Sequence, residues 1–496
     1  MKNEILRLEQ VTTLQGGAAL LDHFNLHIFQ GEIMGLVCLN KIGEESLIRL
    51  ICRNTPIHYG RVYFNETLVN NYRHSTMTYN KAAVIEQRSR LVDDLTVSDN
   101  VFVLRPGMKK YWLSRRTLNG QLRRVAAEIG VRLEGSELAA NLTPCEKCMA
   151  ELLRAVITGA RLIVVRDISN SVSAADLVQV HALLRRLCGR GVSFLYICSH
   201  HEEAFKICDR VALMRDGTIL KVFDRGEYSS RNVLPFYIGE YASILTQLTE
   251  PGRAGTEILT FRDVCTDNMD RLSFRVLEGE CTVLLDMSNT VLRDIAALMT
   301  GRLRPKSGEI RFCGRPFSLR SAQRAVANGV VCIAQNPARR MVFKDMSYLD
   351  NLCFLIGEKR NRMPLSRQVK KYVLKTFLPV VGNCIYEQNV ARLSPRQLCD
   401  LVYYRVELGR PKLVLCVQPF DGFDMYLRMH LISLIEDMKK KGITVVLLMV
   451  NFADSLVPAD RLILLKNGHF SAEYPKEKFY LFRSEGITSA GEKHTD

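Results

Sequence analysis

The sequence predicts an α/β fold that occurs twice in the chain. Short apolar runs such as Leu162–Val165 and Leu413–Cys416 lack polar alternation, which is typical of strands buried on both faces of a largely parallel sheet. Helical stretches alternate with these runs, and that order of elements indicates α/β domains. The third observation is a long internal repeat, because the same segments recur in the same order in the second half.

The repeat is visible in matched segments at a nearly constant offset. Gly31 and the Glu after it recur at Gly279, an offset of 279 − 31 = 248. Asp209–Gly217 recurs as Asp460–Gly468, an offset of 460 − 209 = 251. This period is far longer than the roughly 20–50 residues of a solenoid unit. We therefore predict two homologous domains at 1–245 and 257–482, with a linker at 246–256 and a polar tail at 483–496.

Each copy shows the same order of elements. An alternating strand opens the copy, and Gly-Glu, an apolar strand, a loop and a helix follow. A long helical stretch then precedes the buried strand described above. The predicted opening strands are Ile5–Val11 and Ile258–Val264, and the predicted helices after the loop are Glu45–Cys52 and Arg293–Thr300.

Composition is that of a globular protein, with 47% hydrophobic and 24% charged residues. The net charge of +16 is compatible with an anionic partner. The basic residues occur in short dispersed runs, however, which favours a solvated surface over nucleic-acid binding. No stretch reaches the roughly 18–20 apolar residues of a membrane span, and the charged start resembles no signal peptide. We therefore expect a cytoplasmic protein without its own membrane span.

The fifteen cysteines do not indicate disulfides or a metal site. Several, such as Cys38 and Cys198, lie inside predicted strands, where cysteine behaves as a small buried hydrophobe. Cys145 and Cys148 form a single C-x-x-C, whereas a structural zinc site needs four ligands. We therefore expect no metal bound by cysteine.

Several ordered segments resemble the ATP-binding cassette (ABC) ATPases. A strand–loop–helix unit is followed by a Gln (Gln87, Gln335), by a helix start of the form Leu-Thr/Ser-Pro (Leu142, Leu393) and by a buried strand, twice over. Glu202–Ile219 is also similar to the family's stretch after its switch histidine. The nearest resemblance is to the tandem subunits of bacterial sugar importers of the ribose and galactose type.

This resemblance implies two P-loop NTPase-like domains, each with a mostly parallel core sheet, an antiparallel β part and a helical subdomain. It implies ATP and Mg²⁺ as cofactors. The implied partners are integral-membrane permease subunits and a sugar-binding protein, with no nucleic acid. The implied location is the inner face of the cell membrane, where the subunit is peripheral.

The phosphate loop of the first copy departs from the family pattern. Such a loop needs glycines, so that N–H groups surround the phosphates, together with a Lys and a Ser/Thr that holds Mg²⁺. Here the Lys is replaced by Glu44 and the hydroxyl by Glu45. These two carboxylates oppose a polyanion. The candidate nucleotide-binding residues that remain are Asn40, Lys41, Gly43 and Ser46.

The phosphate loop of the second copy departs further. It runs from Asp286 and contains no glycine, with Leu292 at the position of the family's Lys and Arg293 beside it. Without glycines the loop lacks residues suited to its tight turns.

The candidate catalytic residues are Asp167, His200 and Gln418. In the family, an Asp at the end of the buried strand supports Mg²⁺ and the following Glu polarises the attacking water. Arg166 and Asp167 stand at these positions in the first copy, and Gln418 has the shape of the Glu without its charge. The switch histidine is His200 by residue type, but alignment places Ser199 there.

The remaining candidates are Gln87, Gln335, Thr143 and Ser394. The glutamines occupy the family's Q-loop, which joins the nucleotide site to the helical subdomain, although a loop Gln without a ligand is an equal alternative. Thr143 and Ser394 start the signature helices. Their hydroxyls suit either a γ-phosphate or a simple helix N-cap, and we favour the N-cap.

Three functions remain open from the sequence. We favour a sugar-importer cassette subunit with lost or strongly reduced hydrolysis, which acts as a scaffold or regulatory cassette on a permease. An active importer ATPase with unusual site residues is the second hypothesis. A soluble regulatory or nucleic-acid-associated cassette pair is the third.

Overall fold

The computed structural model describes residues 3–75, 79–102, 114–236, 255–317, 322–359, 367–450 and 456–479. These residues form two compact units, the first built almost entirely from residues up to 236 and the second from residues 255 onward. The predicted polar tail and most of the predicted linker lie outside the described residues, so the exact domain boundaries stay a prediction.

The first unit has ten strands and seven helices among its described residues. The strands are β1 (Glu4–Gln15), β2 (Ala18–Phe29), β3 (Ile33–Cys38), β4 (Tyr59–Phe64), β5 (Thr67–Asn71), β6 (Ala82–Glu86), β7 (Leu162–Arg166), β8 (Ser193–Cys198), β9 (Arg210–Arg215) and β10 (Thr218–Asp224). The helices are α1 (Glu44–Arg53), α2 (Val97–Phe102), α3 (Arg115–Ile129), α4 (Pro144–Ile157), α5 (Ala174–Cys188), α6 (His201–Ile207) and α7 (Ser230–Val233).

The second unit repeats this order of elements. Its strands are β11 (Glu257–Cys265), β12 (Leu272–Leu277), β13 (Cys281–Asp286), β14 (Ser307–Phe312), β15 (Arg315–Pro316), β16 (Val330–Ile333), β17 (Leu413–Val417), β18 (Thr444–Met449), β19 (Arg461–Lys466) and β20 (His469–Pro475). Its helices are α8 (Leu292–Met299), α9 (Ala322–Ala327), α10 (Pro337–Arg340), α11 (Tyr348–Lys359), α12 (Arg367–Val381), α13 (Pro395–Leu408) and α14 (Met425–Lys440).

Each unit contains one mostly parallel sheet and one antiparallel sheet. The six-stranded sheets have the orders β10-β9-β3-β8-β7-β6 and β16-β17-β18-β13-β19-β20, and in each the last hairpin strand is antiparallel. The four-stranded sheets have the orders β2-β1-β4-β5 and β12-β11-β14-β15. The predicted α/β class, with parallel and antiparallel parts in each copy, is therefore confirmed.

The central strands are buried on both faces, as the absence of alternation predicts. On β3, Ile33 and Val37 pack into one apolar cluster, whereas Met34 and Leu36 pack into a second cluster on the opposite face. The first of these clusters continues into the helices α2 to α4. The sheet is thus fixed from both sides, and its strand ends are held in place for the loops that follow them.

Two further expectations concern cysteines and the membrane. All fifteen cysteines are free thiols, and burial raises the pKa of Cys145 to about 12. No group of His, Cys, Asp and Glu suited to a metal occurs in the described parts of the chain. Over those same parts, no helix is long and apolar enough to cross a membrane.

Candidate functional site

The loop between β3 and α1 has the backbone shape of a strand–loop–helix unit. Gly43 precedes α1 with φ +83°, and a Cβ there would lie 2.2 Å from the carbonyl oxygen of Leu20. Only glycine fits this position. The predicted helix is confirmed, beginning one residue earlier and ending one residue later than expected.

Two of the predicted nucleotide-binding side chains bind the protein's own scaffold. Asn40 Nδ2 donates to Asp216 Oδ1 at 2.7 Å, and the Asp216 N–H donates back to Asn40 Oδ1 at 3.1 Å. Ser46 Oγ lies 3.0 Å from the hydroxyl of Thr13 on β1. These contacts fasten the loop to its neighbouring strands and use the polar atoms of both side chains.

Arg166, at the end of β7, forms the centre of an ion-pair network. Its Nε lies 2.5 Å from Glu44 Oε1, and its Nη1 lies 3.1 Å from Glu45 Oε2 and 3.3 Å from Glu86 Oε1. Glu86 is the register partner of Arg166 on the parallel neighbour β6, which explains its position. The guanidinium therefore joins the first turn of α1 to the ends of two strands.

The network is neutral as a whole. Lys41 Nζ lies 3.8 Å from Asp167, Arg49 Nε lies 3.2 Å from Glu45, and Arg90 Nη2 lies 2.5 Å from Glu86. Four cations thus face four carboxylates, namely Lys41, Arg49, Arg90 and Arg166 against Glu44, Glu45, Glu86 and Asp167. The charges balance within the protein itself.

Glu44 is the most buried member of the network, with 3% of its side chain exposed. Burial raises the pKa of Glu44, and the charges of Arg166 and Lys41 act in the opposite direction. A buried carboxylate is costly to keep charged without a partner. Arg166 supplies that partner.

Asp167 and Ser199 meet at the end of the sheet, whereas His200 takes a different role. Asp167 is 8% exposed with φ +49°, and Ser199 Oγ donates to its Oδ1 at 3.3 Å. His200 is the N-cap residue of α6, without a side-chain capping bond, and its carbonyl oxygen accepts from Cys198 Sγ. Ser199, the switch candidate by alignment, thus contacts Asp167 through its side chain.

The loop between β13 and α8 contains an internal anion. The side chain of Asp286 is fully buried, and its oxygens accept from the N–H groups of Ser288 at 3.0 Å, Thr290 at 2.6 Å and Val291 at 2.7 Å. Backbone N–H groups of this kind surround phosphate in a functional loop. In this copy a carboxylate of the chain itself accepts them.

The helix that follows this loop begins with a residue that packs into an apolar cluster. Leu292, at the position of the family's Lys, is 3% exposed and belongs to the apolar cluster under the antiparallel sheet. Arg293 is exposed. The predicted helix is confirmed here too, over Leu292–Met299, one residue earlier at each end than expected.

Gln335 and Gln418 bind each other. Gln335 Nε2 donates to Gln418 Oε1 at 2.8 Å and also to a carboxylate oxygen of Asp421. Gln418 itself has φ +44°, and its N–H donates to the carbonyl oxygen of Leu448. The first-copy counterpart Gln87 directly follows Glu86 and is partly exposed.

Thr143 and Ser394 cap their helices. The Glu146 N–H donates to Thr143 Oγ1 at 3.2 Å, and the Gln397 N–H donates to Ser394 Oγ at 3.3 Å. The side chains of Glu146 and Gln397 accept from the N–H of the cap residue in return, which completes a capping box in both copies. Both hydroxyls thus act as N-caps in this structure, which is the role favoured from the sequence.

Two parts of this arrangement were missed from the sequence. The sequence singled out Arg166 but not its partner Glu86, although both end adjacent parallel strands. It treated Asp286 only as a lost glycine, although an Asp side chain at the start of a loop readily accepts from the N–H groups that follow it. Strand-end pairing and turn chemistry could have found both.

Comparison with known proteins shows what the chain is similar to. The ABC transporter family profile matches residues 21–167, from Leu21 on β2 to Asp167. The chain is 22% identical to a ribose import ATP-binding protein RbsA of Caldanaerobacter subterraneus, over 96% of this chain and 97% of the relative. It is 23% identical to RbsA 2 of Mesorhizobium japonicum, over 95% and 94%.

One solved structure shows the same fold over both copies. The archaeal ribosome recycling factor aABCE1, in complex with the stalk protein aP1, matches with a TM-score of 0.59 at 13% identity, over 96% of this chain and 92% of that one. The fold is therefore that of ATP-binding cassette proteins, and the matched part of the first copy is similar to the ABC transporter family. Over nearly its whole length, the chain is similar to tandem ribose import ATP-binding proteins of the RbsA type.

Proposed function

We propose that this chain is a cassette subunit of a sugar-import transporter that has lost most or all ATP hydrolysis and acts as a scaffold or regulatory cassette on its permease. The relatives that align over nearly the whole chain are ribose import ATP-binding proteins. The retained architecture supports a docking role, and the altered loops support the loss of hydrolysis.

The observation that carries this proposal is the neutral network around Arg166. A triphosphate needs a cation from the loop, whereas this loop offers Glu44 and Glu45. Two unit charges about 4 Å apart interact by about 4 kcal/mol at an effective dielectric constant near 20. A carboxylate in place of an ammonium group therefore changes the sign of a large contribution to binding.

The donor set does not fit Mg²⁺ either. The position that supports the metal in the family is taken by Arg166, and a guanidinium keeps its charge at all relevant pH values. The hydroxyl of Ser46 is bonded to Thr13. For this reason we derive no hydrolytic step from Asp167 or His200, although ATP and Mg²⁺ are the cofactors of the family.

The second loop supports the same conclusion by different contacts. Asp286 accepts the N–H groups that would hold a phosphate, and Leu292 fills the position of the Lys. Gln418 carries no charge with which to polarise a water. Both cassettes therefore lack the groups that hydrolysis needs.

The proposed partners are integral-membrane permease subunits and a sugar-binding protein, as the names of the relatives suggest. The subunit would then lie on the cytoplasmic face of the membrane and depend on the permease for attachment. Gln87 and Gln335, which occupy the Q-loop position, are proposed to lie near that contact.

Phosphate release by the purified full chain tests the proposal. We expect no turnover above background, and the same background in Lys41→Ala and Asp167→Ala. Turnover that collapses in both variants would instead support an active ATPase with unusual residues. The docking role is tested by the fraction of the chain that is recovered with membranes when the permease is co-expressed and when it is not. The same fraction under both conditions would contradict the docking role.

A further inference from the structure

The first unit contains a cavity of about 680 Å³ that is separate from the phosphate loop. Its walls come from β2, β3, β9 and β10, and none of the residues of the Arg166 network lines it. Apolar side chains cover much of the wall, including Leu26, Phe29, Met34, Ile219 and Val222. A cavity of this size is within the range of small-molecule sites.

Arg210 is the cation in this wall. Its Nε donates to Glu32 Oε1 at 2.7 Å, and its Nη2 donates to the carbonyl oxygen of His27 at 2.7 Å. Its guanidinium carbon lies 4.8 Å from the centroid of the Phe29 ring. Among the described residues, Glu32 is its one recorded ion-pair partner, no hydrogen bond of Nη1 is recorded, and 23% of the side chain is exposed.

The second copy contains the same arrangement with one additional carboxylate. Arg461 Nη2 pairs with Glu280 and donates to the carbonyl oxygen of Arg275 at 2.9 Å. Its Nη1 donates to Glu473 Oε1 at 2.7 Å. Arg461 is 9% exposed, so the second carboxylate also covers the guanidinium.

Val222 takes the place of Glu473 in the first copy. The repeat offset relates the two residues, since 473 − 222 = 251. The strand register agrees, because Val222 lies opposite Ala212 and Glu473 lies opposite Ile463, each two residues after the arginine. The first copy therefore lacks the carboxylate at the point where the cavity lies.

The other charged groups around the cavity are paired among themselves or lie beyond ion-pair distance. Asp22 pairs with His23 at 2.6 Å, and His27 Nδ1 lies 2.8 Å from Glu4. Asp224 lies opposite Arg210 in the register, yet the two form no ion pair within 4 Å. Among the described residues, Arg210 Nη1 is thus the guanidinium nitrogen that is available to a further acceptor.

We propose that this cavity binds a small organic acid. Its carboxylate accepts from Arg210 Nη1, in the position that Glu473 takes in the second copy. Its apolar body packs against the uncharged side chains of Phe29, Ile219 and Val222. Arginine and carboxylate pair with favourable geometry, and the second copy shows that this guanidinium arrangement accommodates two carboxylates.

Titration calorimetry on the full chain with benzoate and hexanoate tests this proposal, with benzamide as the uncharged match for benzoate. We expect both acids to bind, and benzamide to bind at least about tenfold more weakly because it lacks the charge. Equal binding of benzoate and benzamide would contradict the proposal, as would no binding of either acid at about 10 mM.

The variant Val222→Glu recreates the second-copy ion pair within the first copy. Val222 is 37% exposed, so we expect the fold to tolerate the change, and circular dichroism checks this. Acid binding should fall at least about tenfold. The control Val178→Glu, at an exposed position on α5 outside the cavity, should leave it unchanged, whereas unaltered binding in Val222→Glu would overturn the proposal. ATP hydrolysis bears on neither outcome, so the result is independent of the proposed function.

Discussion

The phosphate loops of the two copies occupy the same place in the fold but are closed by different chemistry. In the first copy, Arg166 pairs with Glu44, Glu45 and Glu86, and Lys41, Arg49, Arg90 and Asp167 around them make the whole cluster neutral. In the second copy, Asp286 accepts three N–H groups of its own loop and Leu292 fills the adjoining space. One loop is closed by balanced charges and the other by an internal anion and apolar packing.

The cassette fold therefore does not depend on one chemistry at its phosphate loop. What the fold requires is that buried charges be paired and buried N–H groups be accepted. In a nucleotide-bound cassette, the nucleotide supplies some of these partners. In this chain, side chains supply them in both copies, and the two copies use different side chains.

The largest expected effect comes from removing the cation of the first copy. Arg166→Met leaves Glu44 buried without its partner, and we expect a loss of about 3 kcal/mol in the free energy of unfolding. Urea unfolding measures it. The double variant Glu44→Leu/Arg166→Met should recover most of the loss, since an apolar pair replaces the charges. No recovery would contradict the assigned pairing.

The same variant has a predicted pH dependence. Burial raises the pKa of Glu44 in the folded state, so its contribution to stability is present at low pH and is lost as the pH rises through that pKa. Without Arg166 this pKa rises further. The deficit of Arg166→Met should therefore shrink on acidification, and a deficit that grows would contradict the assignment.

A smaller effect is expected from removing the internal anion of the second copy. Asp286→Ala leaves three N–H groups without their acceptor, and we expect a loss of about 2 kcal/mol in unfolding free energy. Amide exchange at Thr290 and Val291 should accelerate. Ser288→Ala, in the same loop, is the control and should cost about 0.5 kcal/mol. Equal losses would contradict a special role for Asp286.

The smallest effect should be equal in the two copies. Thr143→Ala and Ser394→Ala each remove an N-cap hydroxyl, and each should cost about 1 kcal/mol. Amide exchange at Glu146 and Gln397 reports the loss of the cap locally. If either substitution left the free energy of unfolding and the amide exchange rate unchanged, that hydroxyl would not act as a cap, and a ligand-binding role would be favoured.

Much of the fold was predictable because it depends on patterns local in sequence. The unbroken apolar runs of β7 and β17 and the helix after each loop follow from residue type and spacing. Glu86 was not predictable in this way, because its meeting with Arg166 depends on which strands become neighbours. The proposed role of the cavity beside Arg210 was not predictable either. It rests on one difference between the copies, Val222 in the first and Glu473 in the second, which is recognised only when Arg210 and Arg461 are aligned through the repeat.

The most direct test of the central claim is calorimetric titration of the full chain with ATP and Mg²⁺. If both loops are closed by their own side chains, no binding should be measurable, with any dissociation constant weaker than about 1 mM. Binding in the micromolar range at either site would contradict the account.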